Sequence, residues 1–72
     1  MTFGEKLREA RKTAGMTQEQ LAATLSVSRQ AITKWESDKG IPDVENLKLL
    51  ANVLGVSIDY LLDDGSPIDL SI

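Results

Sequence analysis

Five polar side chains lie close together in one short stretch of the chain: Ser28, Arg29, Gln30, Thr33 and Lys34. Arginine matches the hydrogen-bond acceptors of guanine, glutamine can bond adenine through two hydrogen bonds, and threonine offers both a methyl group and a hydroxyl. The start of a helix also attracts phosphate. The set contains no acid. Its chemistry is therefore the recognition of hydrogen-bonding edges and of negative charge.

Catalytic and metal-binding chemistry has little support in the sequence. The chain has 72 residues and contains neither cysteine nor histidine, which removes disulfides, thiol and imidazole catalysis, and nearly every zinc site. Asp63 with Asp64, and Glu5 with Glu9, are paired acids, but neither pair accompanies a nucleophile, a base or a glycine loop. Solvated surface charge explains them better. We therefore expect no enzymatic activity, no metal ion and no cofactor.

Charge is divided unevenly along the chain. The net charge is -3, which by itself disfavours a polyanionic partner. Residues 1–40, however, hold seven of the eight basic residues and five acids, whereas residues 41–72 hold only Lys48 and six acids. The first part of the chain is therefore net positive and the second part net negative, and local charge decides what each surface attracts.

The elements that carry these residues are helices. Proline occurs only at positions 42 and 67, strand-like alternation is absent, and Leu, Ala, Glu, Lys and Gln fill the segments between breakers, as in an all-α protein. Gly15 and Gly55 are suited to end the first and fourth helices. The predicted N-caps are Thr2, Thr17, Ser28, Asp43 and Ser57. The fold class is therefore all-α, a compact five-helix bundle in about 64 residues.

The second and third helices form a helix-turn-helix. The second helix is about two turns long, and the tight turn after it makes the third helix cross it at a steep angle. Val27, Ile32 and Trp35 share an apolar face that we expect to be buried. Core packing is therefore preferred over base stacking for Trp35, and the five polar side chains face outward.

Residues 17–36, TQEQLAATLSVSRQAITKWE, resemble the helix-turn-helix of the Xre/Cro family of bacterial and phage repressors. The similarity covers nearly the whole domain, and Gln18 and Ala22 stand at positions typical of the family. Ser26 departs from the pattern, because the family commonly has glycine there and a left-handed residue other than glycine costs on the order of 1 kcal/mol. The resemblance implies a lambda-repressor-like DNA-binding domain that places its third helix in a major groove.

The same resemblance implies roles for individual residues. Gln18 is expected to contact a phosphate, the third helix to contact base edges and the adjacent backbone, and Lys39 to contact neighbouring phosphates. Arg11 and Glu36 resemble an internal ion pair that ties the first helix to the third. The predicted DNA-binding residues are Gln18, Ser28, Arg29, Gln30, Thr33, Lys34 and Lys39.

The predicted partner is double-stranded DNA with a near-palindromic operator. One domain of this size covers only a few base pairs, so high specific affinity requires two copies, with recognition helices about 34 Å apart. Acidic charge in the second half of the chain opposes tight pairing, so we expect a weak homodimer. The predicted interface residues are Ile58, Tyr60 and Leu61, with Ile68, Leu70 and Ile72 in the tail.

The chain is expected to form one helix-turn-helix domain over residues 1–64, followed by a tail or truncated linker over residues 65–72. No apolar run approaches the ~20 residues of a membrane span, and the N-terminus does not resemble a signal peptide, so a cytoplasmic protein is expected. The predicted function is sequence-specific transcription regulation by a repressor that occupies a promoter. An antitoxin or a protein-interaction module on the same scaffold is the alternative, and salt-sensitive DNA binding would separate DNA binding from pure interaction.

Overall fold

The computed structural model describes residues 1–63, which contain five α-helices and no strand. The helices are α1 (Phe3–Thr13), α2 (Gln18–Leu25), α3 (Arg29–Glu36), α4 (Val44–Leu54) and α5 (Ile58–Leu62). The predicted all-α fold with five helices is confirmed. The predicted tail over residues 65–72, and residue 64 before it, lie outside the described residues.

Each of the five helices begins at the N-cap that the sequence predicts. At α1, the Thr2 hydroxyl accepts the Glu5 N–H at 3.2 Å, and the Thr2 N–H donates to the Glu5 carboxylate at 3.0 Å. Thr17 and Gln20 repeat this reciprocal pair at α2. Helices this short are marginal on their own, and a cap contributes about 1 kcal/mol. The caps therefore fix where α2 and α3 start.

Four helices end with a residue in the left-handed region, after which the next residue donates its N–H to a carbonyl five positions earlier. This is the Schellman arrangement, which satisfies carbonyls that the helix end leaves open. The left-handed residues, with their φ angles, are Gly15 (72°), Ser26 (58°), Asp38 (61°) and Gly55 (69°). The two that are not glycine lie on either side of α3, three residues before it begins and two residues after it ends.

The helices enclose a single apolar core, in which α3 packs against α1 and α2 while α5 packs against α1 and α4. Ile32 is fully buried and Trp35 is nearly so, and Val27 packs partly buried against them. The predicted inward face of α3 is confirmed. The core residues are Leu7, Ala10, Leu21, Ala22, Leu25, Ile32, Trp35, Leu47, Leu50, Ala51, Leu54 and Leu61.

The beginning of α1 lies directly against the end of α3. A Cβ placed on Gly4 would lie only 2.4 Å from the backbone oxygen of Glu36, so no residue larger than glycine fits there without moving the backbone. Asp38 closes the same junction, because its carboxylate accepts the Thr2 hydroxyl at 2.6 Å and the Gly4 N–H at 2.9 Å. Asp38, two residues beyond the end of α3, thus also satisfies donors at the beginning of α1.

A buried lysine joins α1 to the end of α5. Lys6 is only 7% exposed, and its ammonium donates to the backbone oxygens of Tyr60, at 3.1 Å, and of Asp63. The ammonium also lies 5.1 Å from the centre of the Tyr60 ring, within the range of a cation–π contact. Both carbonyls belong to the last turn of α5 and the residue after it, where a cation is favoured.

Candidate nucleic-acid interface

The outer face of α3 carries the polar side chains that the sequence predicts to recognise DNA. Because Ile32 and Trp35 are buried, Arg29, Gln30 and Thr33 are left exposed on the opposite side of the helix. Ser28 is also exposed, and its hydroxyl accepts the Ala31 N–H at 3.2 Å. The structure therefore uses the Ser28 side chain as the cap of α3, and its contact with DNA stays a prediction.

Gln18, at the start of α2, links the exposed face of α3 to the interior. Its amide nitrogen donates to the Glu36 carboxylate at 3.2 Å, and its amide oxygen accepts from the Arg29 guanidinium at 3.4 Å and from the Thr33 hydroxyl at 3.3 Å. A carboxylate only accepts hydrogen bonds, so Glu36 fixes which way the Gln18 amide faces. Three of the predicted DNA-binding residues are thereby brought together.

The Arg11–Glu36 ion pair predicted from the resemblance is confirmed, and it lies beneath this cluster. The distance between Arg11 Nε and Glu36 Oε2 is 2.6 Å, and the two side chains are only 11% and 5% exposed. Arg11 donates a second hydrogen bond to Glu36 at 3.2 Å and a third to the Met16 backbone oxygen at 2.9 Å. The pair ties α1, the turn before α2 and the end of α3 together.

Arg29 is held much more loosely. Its guanidinium lies 3.4 Å from the Glu19 carboxylate, and the two side chains are 62% and 76% exposed. An ion pair in water contributes only about 0–1 kcal/mol. The Arg29 side chain can therefore leave this pair at little cost when a stronger acceptor approaches.

Gln30, Lys34 and Lys39 are exposed, and none of their side chains has a hydrogen-bond or ion-pair partner within residues 1–63. Gln30 and Lys34 lie on α3, and Lys39 lies just beyond it. The Lys39 N–H bonds the Lys34 backbone oxygen at 2.9 Å, which holds the backbone at Lys39 against the end of α3. The donors of these side chains are thus unoccupied beside the cluster around Gln18.

Asp38, a residue that the sequence analysis did not single out, lies next to Lys39. The Thr2 hydroxyl, and secondly the Gly4 N–H, hold the pKa of the Asp38 carboxyl below its ordinary value. Its negative charge faces the positive N-terminal end of α1. A sequence pattern does not reveal this contact, because its partners lie 36 and 34 positions away.

The predicted dimer interface requires a correction. Leu61 is fully buried in the core, because the short helix α5 turns that side toward α1 and α4. Ile58 lies partly buried against the same core, and only Tyr60 of the three is exposed. Leu62, which the sequence analysis did not name, is also exposed. Ile68, Leu70 and Ile72 lie outside the described residues.

Within residues 1–63, no group of three or more acids is placed to hold a metal ion. None of the helices in this part of the chain has the length and apolar character needed to cross a bilayer. The paired acids Glu5 and Glu9 both lie exposed on α1, and the Glu5 carboxylate caps its own helix at Thr2.

The helix-turn-helix family pattern matches residues 7–61, which is most of the chain. The chain belongs to this family, and the resemblance to Xre/Cro-type regulators is confirmed. Two curated relatives illustrate the similarity. The HTH-type transcriptional activator BcrR of Enterococcus faecalis is 49% identical over 71 residues, covering 99% of this chain and 35% of the relative. The HTH-type transcriptional regulator ImmR of Bacillus subtilis is 40% identical over 62 residues, covering 86% of this chain and 49% of the relative.

Among solved structures, the chain resembles the c2 repressor of Salmonella phage P22 in complex with a synthetic operator. The TM-score is 0.84 at 38% sequence identity, covering 88% of this chain and 96% of the repressor chain. The likeness therefore extends over nearly the whole length of that repressor chain. The chain nevertheless spans only about a third to a half of the length of the two curated relatives.

Proposed function

We propose that this chain is the DNA-binding module of a transcription regulator and that it acts by placing α3 in the major groove of double-stranded DNA. One observation carries the proposal: α3 presents exposed polar side chains on one face while its other face is locked into the core. The similarity to a repressor bound to operator DNA supports it. The mechanism is occupancy of a site rather than catalysis, and we propose a cytoplasmic location, where bacterial DNA lies.

Side chains at the centre of the exposed face are proposed to read bases. Arg29 suits the acceptors of guanine, Gln30 suits adenine, and Thr33 can contact either a base edge or a thymine methyl group. Gln18 retains a second amide hydrogen that can donate to a phosphate while the first bonds Glu36. Lys34 and Lys39 are proposed as phosphate contacts, because a point charge on a flexible stem carries little positional information.

The regulator is proposed to repress by occupying a promoter. Its relatives are named both as activators and as repressors. We propose a weak homodimer on a near-palindromic operator, in which Tyr60 and Leu62 supply exposed apolar contact area. DNA stabilises such a dimer by binding both copies at once.

Selection of bound duplexes from a random DNA pool tests the proposal. We expect a recovered motif with two half-sites centred about one helical turn apart. Sedimentation with a full operator and with a half-site duplex then tests the dimer, and we expect two copies on the full operator and weaker binding to the half-site. A pool without enrichment would contradict sequence-specific binding, and equal affinity with one protein per duplex throughout would contradict the dimer.

A protein-interaction module or an antitoxin is the second candidate, and one observation favours it. Ile41 and Val44, around the start of α4, are large apolar side chains that are mostly exposed. Exposed apolar residues of this kind suit a protein partner when they form a contiguous patch. The absence of salt-dependent DNA binding would favour a pure interaction module, because phosphate contacts make DNA binding salt-dependent.

A further inference from the structure

A groove of about 250 Å³ lies where α1, the start of α2 and the end of α3 meet. Its lining residues are Arg8, Arg11, Gln18, Thr33, Glu36 and Ser37. Two of them, Gln18 and Thr33, are predicted DNA-binding residues. The groove is therefore continuous with the candidate interface, and it extends the interface onto α1.

Most of the polar groups in this groove are already engaged. The Arg11 guanidinium is used by the Glu36 carboxylate and by the Met16 backbone oxygen. The Ser37 hydroxyl bonds the backbone oxygens of Thr33, at 2.8 Å, and of Lys34, at 3.2 Å. The single acid that lines the groove is thus neutralised by Arg11, and Ser37 is turned toward the end of its own helix.

Arg8 is the exception. It is exposed, and its guanidinium has no hydrogen-bond or ion-pair partner within residues 1–63. It precedes Arg11 by three positions on α1, so the two side chains lie on neighbouring positions of one helix face. The charges of Arg11 and Glu36 cancel each other. The groove therefore carries one net positive charge, that of Arg8, and Gln18 lines the same groove.

We propose that Arg8 is a further DNA-binding residue, which contacts a backbone phosphate that enters this groove. A guanidinium presents two parallel N–H groups to phosphate oxygens, and this geometry favours arginine over lysine. The contact adds α1 to the DNA footprint, beside the phosphate contact proposed for Gln18. It carries no base specificity of its own, because a phosphate is present at every step of the duplex. The inference rests on the proposed function.

Lys12 supplies a matched control on the same helix. It is exposed, carries the same charge one turn further along α1, and does not line the groove. The experiment compares the parent with Arg8→Ala, Arg8→Lys and Lys12→Ala, each titrated with the selected operator and with a random duplex at several salt concentrations. Thermal unfolding of each variant accompanies the titrations, and we expect unchanged melting temperatures.

For Arg8→Ala we expect weaker binding to both duplexes. The slope of log binding constant against log salt concentration (the salt slope) should be shallower by about one, since one phosphate contact is lost. The ratio of parent to variant affinity should therefore narrow about three- to fourfold between 50 and 200 mM salt. Arg8→Lys should keep the parent slope and recover part of the affinity, because it retains the charge but loses the paired donors. Lys12→Ala should keep the parent slope.

An unchanged slope in Arg8→Ala, or equal changes in Arg8→Ala and Lys12→Ala, would overturn the inference, because the first shows no contact and the second shows only the general effect of charge. Both outcomes leave the parent's DNA binding intact. A parent that binds neither duplex would overturn the proposed function itself. The two failures are therefore distinguishable.

Discussion

Two arginine–glutamate pairs in this domain behave in opposite ways. Arg11 and Glu36 approach to 2.6 Å and are 11% and 5% exposed, whereas Arg29 and Glu19 lie 3.4 Å apart and are 62% and 76% exposed. The first pair has additional hydrogen bonds on both partners. The same residue types therefore fix the fold in one place and stay available to a ligand in the other.

Gln18 lies between the two pairs and contacts both of them. It donates to Glu36 on the buried side and accepts from Arg29 on the exposed side. The buried pair thus determines the orientation of the Gln18 amide, which in turn contacts Arg29 at the surface. Burial, rather than residue type, separates the scaffold from the recognition surface here.

Breaking the buried pair should have the largest effect. Arg11→Ala leaves the Glu36 carboxylate buried without its counter-charge, and we expect the free energy of unfolding to fall by about 3–5 kcal/mol. Chemical denaturation followed by circular dichroism measures this loss. Arg29→Ala is the matched control, and its stability should stay within about 0.5 kcal/mol of the parent. Equal stability of the two variants would show that the pairs do not differ in the way their burial indicates.

Breaking the exposed pair should instead change DNA recognition. Arg29→Ala is expected to reduce discrimination by about 1–3 kcal/mol at one base pair, as the loss of a bidentate base contact does. Competition between the selected operator and single-base variants measures this preference. Glu19→Ala removes the partner and a negative charge but leaves Arg29 in place, so binding should be equal to the parent or tighter. Selectivity that survives Arg29→Ala unchanged would place its side chain in solvent.

A smaller effect is expected at the turn between α2 and α3, the two helices that carry Glu19 and Arg29. Ser26 adopts a φ of 58°, where a side chain is strained and glycine is not. We expect Ser26→Gly to raise the free energy of unfolding by up to about 1 kcal/mol. Gly15→Ala, at the corresponding turn before α2 (φ 72°), should lower it by a similar amount. A destabilised Ser26→Gly variant would show that the serine side chain contributes more than its backbone strain removes.

The smallest expected effect is a change in stability at low pH. It arises where the end of α3 meets the beginning of α1, the two helices that the buried Arg11–Glu36 pair also joins. The pKa of Asp38 is lowered in the folded state by the Thr2 hydroxyl and the Gly4 N–H. The contribution of Asp38 is therefore fully present above its ordinary value of 3.8 and is lost as the pH falls through the lower, folded value. Asp38→Asn should flatten this part of the stability profile. Melting temperatures between pH 2 and 6 measure it, and parallel profiles for parent and variant would exclude Asp38 as the source.

Local features of the fold could be predicted from the sequence, because the atoms involved are close along the chain. Each N-cap side chain bonds an N–H three positions later, and the buried face of α3 follows from helical spacing. The resemblance located the Arg11–Glu36 pair. The DNA contacts of the seven predicted residues stay predictions until they are measured.

Features that depend on docking between helices could not be predicted in the same way. The sequence predicts Leu61 on the dimer surface, but in a helix of five residues the buried side is decided by how α5 lies on α1 and α4. The bond between Gln18 and Glu36 joins residues 18 positions apart. The availability of Arg8 could not be predicted either, because it depends on the groove that α1, α2 and α3 form together and on the absence of a partner for Arg8 within residues 1–63.

Lys6 has a practical consequence for anyone who trims or fuses this domain. Its ammonium is stabilised by backbone oxygens at Tyr60 and Asp63, in the last part of the described chain. A fragment that stops before residue 63 would remove one of the two carbonyls that accept from this buried ammonium, and a buried charge is costly to leave without its hydrogen bonds. The smallest unit suitable for expression therefore ends no earlier than Asp63, and a reporter or affinity tag appended there should be separated by a spacer that leaves this carbonyl undisturbed.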